Sequence, residues 1–292
     1  MSEAKGALLL GTEDVGKLLK KYATPAIIAM TASSLYNMVD SIFIGQGVGP
    51  LAISGLAITF PFMNLGAAIG AMVGVGASTV TAMELGKKNY AKSCRALANT
   101  IMLNIIFGIL FTVICLLFLK PILYFFGASD QTLPYAFEYM QVILLGNIIT
   151  HLYHGLNSVL RASGHPNEAM IATIITVIAN IFLDWLFIYP LEMGIRGAAI
   201  ATVLAQTLPL IYLVKIFSNK NELVHFDKKD FVFDIKIIKD ILAIGLSPFL
   251  LNTALCVIII LINKGLKEFG GDLSVGAYGI VNRVTFFFTM IV

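Results

Sequence analysis

Charge is scarce in this sequence. Only 13% of its 292 residues are Asp, Glu, Lys or Arg, about half the share of an ordinary soluble domain, while 58% are hydrophobic and the mean hydropathy is +0.87. Such a shortage excludes a soluble globular domain and implies a membrane protein. Cysteine is scarce as well: Cys94, Cys115 and Cys256 are odd in number, and the last two sit inside apolar runs. Neither a disulfide framework nor a spaced metal site is indicated. There is no P-loop, GxSxG elbow or HExxH helix, so nothing supports ATP hydrolysis or hydrolytic chemistry. A cleavable signal peptide is also missing, since Ala7–Leu10 is too short an apolar run and no small-residue cleavage site follows it. The N-terminus is therefore expected in the cytoplasm.

What is present is a series of eight apolar segments: Leu18–Gly45, Ala52–Leu85, Leu97–Leu119, Leu133–Leu160, Ala169–Tyr189, Ile195–Phe217, Ile237–Phe269 and Ser274–Val292. Most approach the ~20 residues that carry a helix across a ~30 Å hydrocarbon layer. They lack the alternation of barrel strands, so the expected fold class is an all-α integral membrane bundle. Basic residues set its orientation, because cytoplasmic loops carry the excess of Lys and Arg. One set of connections holds fifteen, among them Lys5, Lys17, Lys87, Lys92, Arg95, Arg161 and Lys228; the opposite set holds four, Lys120, Arg196, Lys264 and Lys267. The first set is expected to be cytoplasmic in an inner (plasma) membrane. The formal charge of +3 then reads as a topology signal and calls for no nucleic-acid partner.

The chain also repeats itself. The run from Pro25 to Asp40 can be laid over that from Pro248 to Asn263 at a constant shift of 223. The polar stretch Asn219–Lys236 separates six spans from this second beginning. An even number of spans per copy gives parallel repeats, as in many secondary transporters. The expected organisation is a six-helix lobe over 1–218, a cytoplasmic linker over 219–236, and the first two helices of a second lobe over 237–292. On this reading the chain is a fragment.

Two acids stand inside apolar runs, Asp40 in the first span and Asp184 in the fifth. A charge at such depth costs roughly 2.5–3.5 kcal/mol by insertion scales and commonly marks an ion or substrate path. At ~1.5 Å per residue, Asp40, Asp184 and Thr202 all lie about 8–10 Å below the outer ends of their spans. Asn180 is one turn from Asp184 on the same helical face. These oxygens suit a proton or a small alkali cation, since no His or Cys is near. Tyr36 and Asn37 flank Asp40 at i−4 and i−3, and Tyr139 reaches a similar depth. The plainer alternative is that both acids snorkel to the outer interface.

Other features are less specific. Gly66, Gly70, Gly74 and Ser78 form a small-residue ladder that lets helices pack closely. Asn147, His151, His154 and Asn157 make a stripe on the fourth span that either lines a cavity or hydrogen-bonds between helices. Pro25 is a candidate hinge or a structural kink.

Several stretches together resemble the multidrug and toxic compound extrusion (MATE) transporters. They are Asp40–Leu56 (DSIFIGQGVGPLAISGL), Glu84–Lys88 (ELGKK), Leu160–Pro166 (LRASGHP) and Gly194–Thr202 (GIRGAAIAT). The resemblance implies twelve helices in two six-helix lobes around a central cavity, with no enzymatic activity. It implies export of amphiphilic, often cationic small molecules in exchange for Na⁺ or H⁺, with no other cofactor, by a protein read here as a monomer in the lipid bilayer. The family's first-lobe cation site maps onto Asp40, Asn180, Asp184 and Thr202, and Tyr36, Asn37, Tyr139 and Asn157 are expected to face substrate. One branch carries an acid in the seventh span; here that span offers Asn252, Thr253 and Asn263, which places the chain nearer the MepA-like or DinF-like members. A flippase for lipid-linked saccharides and an intramembrane aspartyl protease are the rival readings. Few cationic residues lie mid-span apart from Arg283, and the aspartates lack the Tyr-Asp and Gly-x-Gly-Asp contexts of such a protease.

Overall fold

A computed structural model describes residues 14–291; Lys5, the Ala7–Leu10 run and Val292 lie outside the described residues. Among these residues the regular structure is helical: α1 (Val15–Gly47), α2 (Pro50–Gly86), α3 (Tyr90–Leu117), α4 (Leu119–Phe125), α5 (Leu133–Ala162), α6 (Pro166–Ile188), α7 (Gly194–Phe217) and α8 (Ile235–Ile291), with a 3₁₀ turn at Lys228–Asp230. The predicted fourth, fifth and sixth spans are α5, α6 and α7, and α8 holds both the seventh and eighth. The short α4 was not anticipated. It turns the loop after the third span into an apolar cap whose Leu119 and Leu123 are buried.

Local chemistry sets the helix ends. The Asp14 carboxylate accepts from the Gly16 and Lys17 amides at the start of α1, and Asn89 caps α3 by accepting from the Lys92 amide at 3.3 Å; both satisfy amide donors that a helix start leaves over. Between α1 and α2 the chain reverses at Gly49, whose φ of +122° only glycine adopts without strain. Pro50 then opens α2, where its missing N–H costs nothing. Gly271, at φ 73° and ψ −178°, breaks α8 where the sequence predicts the end of one span and the start of the next. The proline within α1, Pro25, does not end that helix.

Among the described residues, six helices are long and apolar enough to cross a membrane: α1, α2, α3, α6, α7 and α8, the last counted once through residue 285. Eight spans were expected. The difference is α5, diluted by its polar stripe, and α8, where the break at Gly271 divides one assigned helix into two. Side chains such as Leu110, Val113, Phe182, Ile211, Leu255 and Leu261 remain exposed. Apolar surface on this scale is what lipid would cover, as suits a multi-pass membrane protein.

The interior has an upper and a lower apolar cluster. The upper one gathers Ile44, Leu56, Phe62, Tyr139, Leu144 and Ile195, below the loops at Val48–Gly49 and Phe118–Thr132. The lower one gathers Val73, Leu97, Tyr153, Leu156, Leu213 and Ile237. Polar side chains of α1, α5, α6 and α7 are buried in the waist between them. The glycine ladder of α2 faces α5 and α3: a Cβ on Gly66 would meet the Phe111 ring at 3.1 Å, and one on Gly74 the Ser158 hydroxyl at 3.1 Å. The α2–α8 contact is closer still and uses other glycines. A Cβ on Gly76 would lie 1.9 Å from the Ile241 carbonyl oxygen, and one on Gly245 1.9 Å from that of Met72.

Candidate cation and substrate site

Asp40 projects from α1 into the waist with 4% of its surface exposed, and Asp184 projects from α6 with none. Burial of both removes the snorkelling alternative. The two carboxylates are close enough for the charge of one to act on the other, because α1 packs along α6. One turn from Asp184, Asn180 donates from Nδ2 to the Thr202 hydroxyl of α7 at 3.5 Å, and that hydroxyl donates to the Ala198 carbonyl at 3.1 Å. Tyr36 and Tyr139 lie within electrostatic reach of both acids.

The arrangement leaves acceptors over. Asn180 Oδ1, both carboxylate oxygens of Asp184 and Asp40 Oδ1 are buried and have no hydrogen-bond partner among the described residues. A buried polar atom without a partner costs about 1–3 kcal/mol, and these four acceptors stand on two helices that pack together. All are hard oxygens. Hard oxygen donors of this kind suit a proton or an alkali cation better than a transition metal.

A cavity of about 190 Å³ adjoins this group. Tyr36, Asn37, Asp40, Tyr139 and Thr202 border it, and so do the aromatic rings of Phe60, Phe62 and Phe111. Asp184 and Asn180 do not border it. Asn157 lies elsewhere: it lines a second cavity of about 260 Å³, shared with Tyr36, Asn37, His154 and Arg161. There it donates to the Ala169 carbonyl at 3.0 Å and accepts from Arg161 at 3.2 Å. The predicted substrate-facing residues therefore divide between two adjoining cavities, with Tyr36 and Asn37 on the border of both. The α5 stripe divides too. Asn147 and His154 line the aromatic cavity, whereas His151 is fully buried with its ring against Gly70.

Two contributors escape the sequence argument. Gln206 of α7 borders both cavities and accepts from the Thr150 hydroxyl at 2.5 Å. Arg283, from the part of α8 beyond Gly271, lines the first cavity and sits 3.7 Å from Asp40 Oδ2. An arginine within an apolar span was the visible signal; its partner was not.

Comparison with known proteins gives a consistent result. The MatE family model matches residues 25–186. The chain is 29% identical over 276 residues to the multidrug export protein MepA of Staphylococcus haemolyticus, covering 94% of this chain and 61% of that protein. It is 26% identical over 278 residues to MepA of Staphylococcus aureus, again covering 61% of the relative. The chain thus spans about 61% of the length of these curated relatives. Among solved structures, the MATE multidrug transporter DinF-BH in complex with R6G superposes with a TM-score of 0.90 at 32% identity, over 96% of this chain and 63% of that one.

Proposed function

This chain belongs to the MatE family, and from that membership we propose that the protein is a cation-coupled antiporter that exports amphiphilic, often cationic small molecules by alternating access. MatE proteins are transporters and not enzymes, so the intramembrane protease reading falls away. The observation that carries the proposal is the group of buried, unpartnered oxygens on Asp40, Asn180 and Asp184 beside the Thr202 hydroxyl. Na⁺ or H⁺ is the coupling ion and that group is its site. Binding changes the charge of Asp40, which borders the cavity that would take cargo. The aromatic walls offer stacking and cation–π surface to a flat cationic amphiphile, and Asp40 offers a counter-charge. Tyr36, Asn37 and Tyr139 contact it there, and Asn157 contacts it in the adjoining cavity.

The face that carries Lys87, Lys88, Lys92, Arg95 and Lys228 is cytoplasmic by the positive-inside rule, in the cell membrane. Residues 1–218 act as one lobe and residues 237–292 begin another, in a protein that works as a monomer. A lipid-linked saccharide flippase would need free cationic groups for its pyrophosphate; Arg283 instead faces an acid.

Reconstituting the full-length protein in vesicles, with Na⁺ and pH gradients imposed separately, tests the reading. One gradient should drive a cationic dye uphill and the other should not. If neither gradient moves the dye and each ion fails to change its export, cation coupling is wrong.

A further inference from the structure

Arg283 carries the one formal positive charge on the border of the central cavity among the described residues. Its side chain is 10% exposed, and it is bound to α1 through several groups. The guanidinium donates to the Asn37 carbonyl at 2.6 Å and to the Ser41 hydroxyl, and it sits 3.7 Å from Asp40 Oδ2. The Phe60 ring of α2 lies 5.9 Å from its central carbon. Taking such a group out of water is costly, and a buried ion pair is weak evidence of net stability. Breaking one by neutralising a single partner, however, leaves an uncompensated buried charge.

The two partners stand on different elements, which pack against each other. Asp40 is on α1; Arg283 lies on α8 beyond Gly271, where the backbone leaves helical geometry. The same carboxylate therefore has two suitors. One of its oxygens faces Arg283, while the other is buried without a hydrogen-bond partner among the described residues. A cation or proton taken up there neutralises Asp40 and leaves Arg283 facing either a second positive charge or an uncharged acid.

We propose that Arg283 is a tethered rival cation for Asp40: it docks the second half of α8 on α1 when Asp40 is otherwise unoccupied, and is displaced when Asp40 takes a Na⁺, a proton or a cationic cargo molecule. Arg283 is thus a positioning residue that converts occupancy of Asp40 into release of α8. Linkage makes the effect reciprocal, so Arg283 docking weakens cation binding by the factor by which cation binding weakens docking. Release would reach the upper end of the molecule through the Gly271 break. There Ser129 donates to Asp272, just after the break, at 2.6 Å and Lys267, just before it, donates to the Ala128 carbonyl at 2.5 Å, holding both sides of the break against the loop before α5. For the proton arm, the titratable groups facing the pair are Tyr36 on α1, Tyr139 on α5 and Asp184 on α6. His154 of α5 borders the same cavity, and α2 presents the Phe60 ring.

The proposal rests on reading Asp40 as the coupling acid, and the test separates the two. Spin labels at the exposed positions Gln131 and Leu273 in the full-length protein, in nanodiscs, report the distance across the upper end. Wild type should show a short distance without Na⁺ at alkaline pH, and a longer one on adding the ion that couples. Arg283→Gln should show the longer distance without any ion, and bind that ion at least about tenfold more tightly, while Arg283→Lys restores the wild-type pattern. Asp40→Asn, which removes the other half of the pair, should match Arg283→Gln in distance and serves alone if Arg283→Gln does not fold. A wild type that responds to the ion, with Arg283→Gln and Asp40→Asn both holding the short distance, overturns the rival-cation proposal and leaves coupling intact. A wild type in which neither ion changes the distance nor binds overturns the coupling reading itself.

Discussion

Asp40 borders the central cavity, whereas Asp184, near enough to feel its charge, is fully buried and has no surface on it. Under the proposed function, one acid of the pair would meet both ion and cargo, and the other the ion alone. Substituting them should therefore give different defects. Asp184→Asn is expected to weaken binding of the coupling ion by at least about tenfold, or 1.4 kcal/mol, while leaving dye binding within about twofold. Asp40→Asn should weaken both. Fluorescence polarisation of a bound cationic dye, measured beside ion titrations, checks this; equal loss of dye affinity in both variants would make the two acids one cargo site.

A second prediction concerns the α2–α8 crossing. Gly76 lies where an added methyl would meet the Ile241 carbonyl at 1.9 Å, and Gly245 where it would meet that of Met72 at 1.9 Å. Main chain cannot rotate away as a side chain can. Gly76→Ala and Gly245→Ala should each cost about 1–3 kcal/mol through overpacking. Gly74→Ala should cost much less, since its nearest obstacle is the movable Ser158 hydroxyl at 3.1 Å. Thermal unfolding followed by intrinsic fluorescence in detergent gives the comparison. Equal melting of Gly76→Ala and Gly74→Ala would mean that the two helices do not meet through these glycines.

These glycines also show where sequence reading stops. The ladder Gly66, Gly70, Gly74 is visible because a spacing of four keeps small residues on one helical face. Gly76 stands about 200° around the helix from Gly74 and looks isolated until α8 is in place. The apolar spans are legible because lipid demands long uninterrupted runs, and the break at Gly271 falls inside the gap between the last two. That Asp40, Asp184 and Thr202 share a level follows from counting residues down straight helices. Their facing is another matter: Asn157 lines a different cavity from Tyr139 of the same helix, and a depth count carries no angle. The partner of Arg283 lies 243 positions away at Asp40, and only tertiary packing brings α8 to α1.

The segment between α7 and α8, though polar, is tied to the lower end of the bundle, and this gives the last prediction. Asn99 of α3 donates to the Val232 carbonyl at 3.1 Å and accepts from the Asp234 amide at 3.2 Å, fixing the main chain on both sides of Phe233. Asp234 in turn accepts from the Ile237 amide at 3.2 Å and faces Arg95 at 3.5 Å. The Ile237 amide first, and then the guanidinium of Arg95, hold the Asp234 carboxyl below its usual range. A carboxylate whose folded pKa is depressed contributes stability above its unfolded pKa and loses it as pH falls through the folded one. Docking should therefore be constant through neutral and mildly acidic pH and weaken only below the ordinary aspartate range. A spin label at the exposed Val232 should stay immobile over the first range and gain mobility in the second. Asn99→Ala leaves the Asp234 amide without its acceptor, a loss of about 1–3 kcal/mol, and should mobilise the label at neutral pH. Asp234→Ala should abolish the acid-dependent change, because the carboxylate that titrates is gone; a label equally immobile in all three proteins would show that these contacts do not hold the segment.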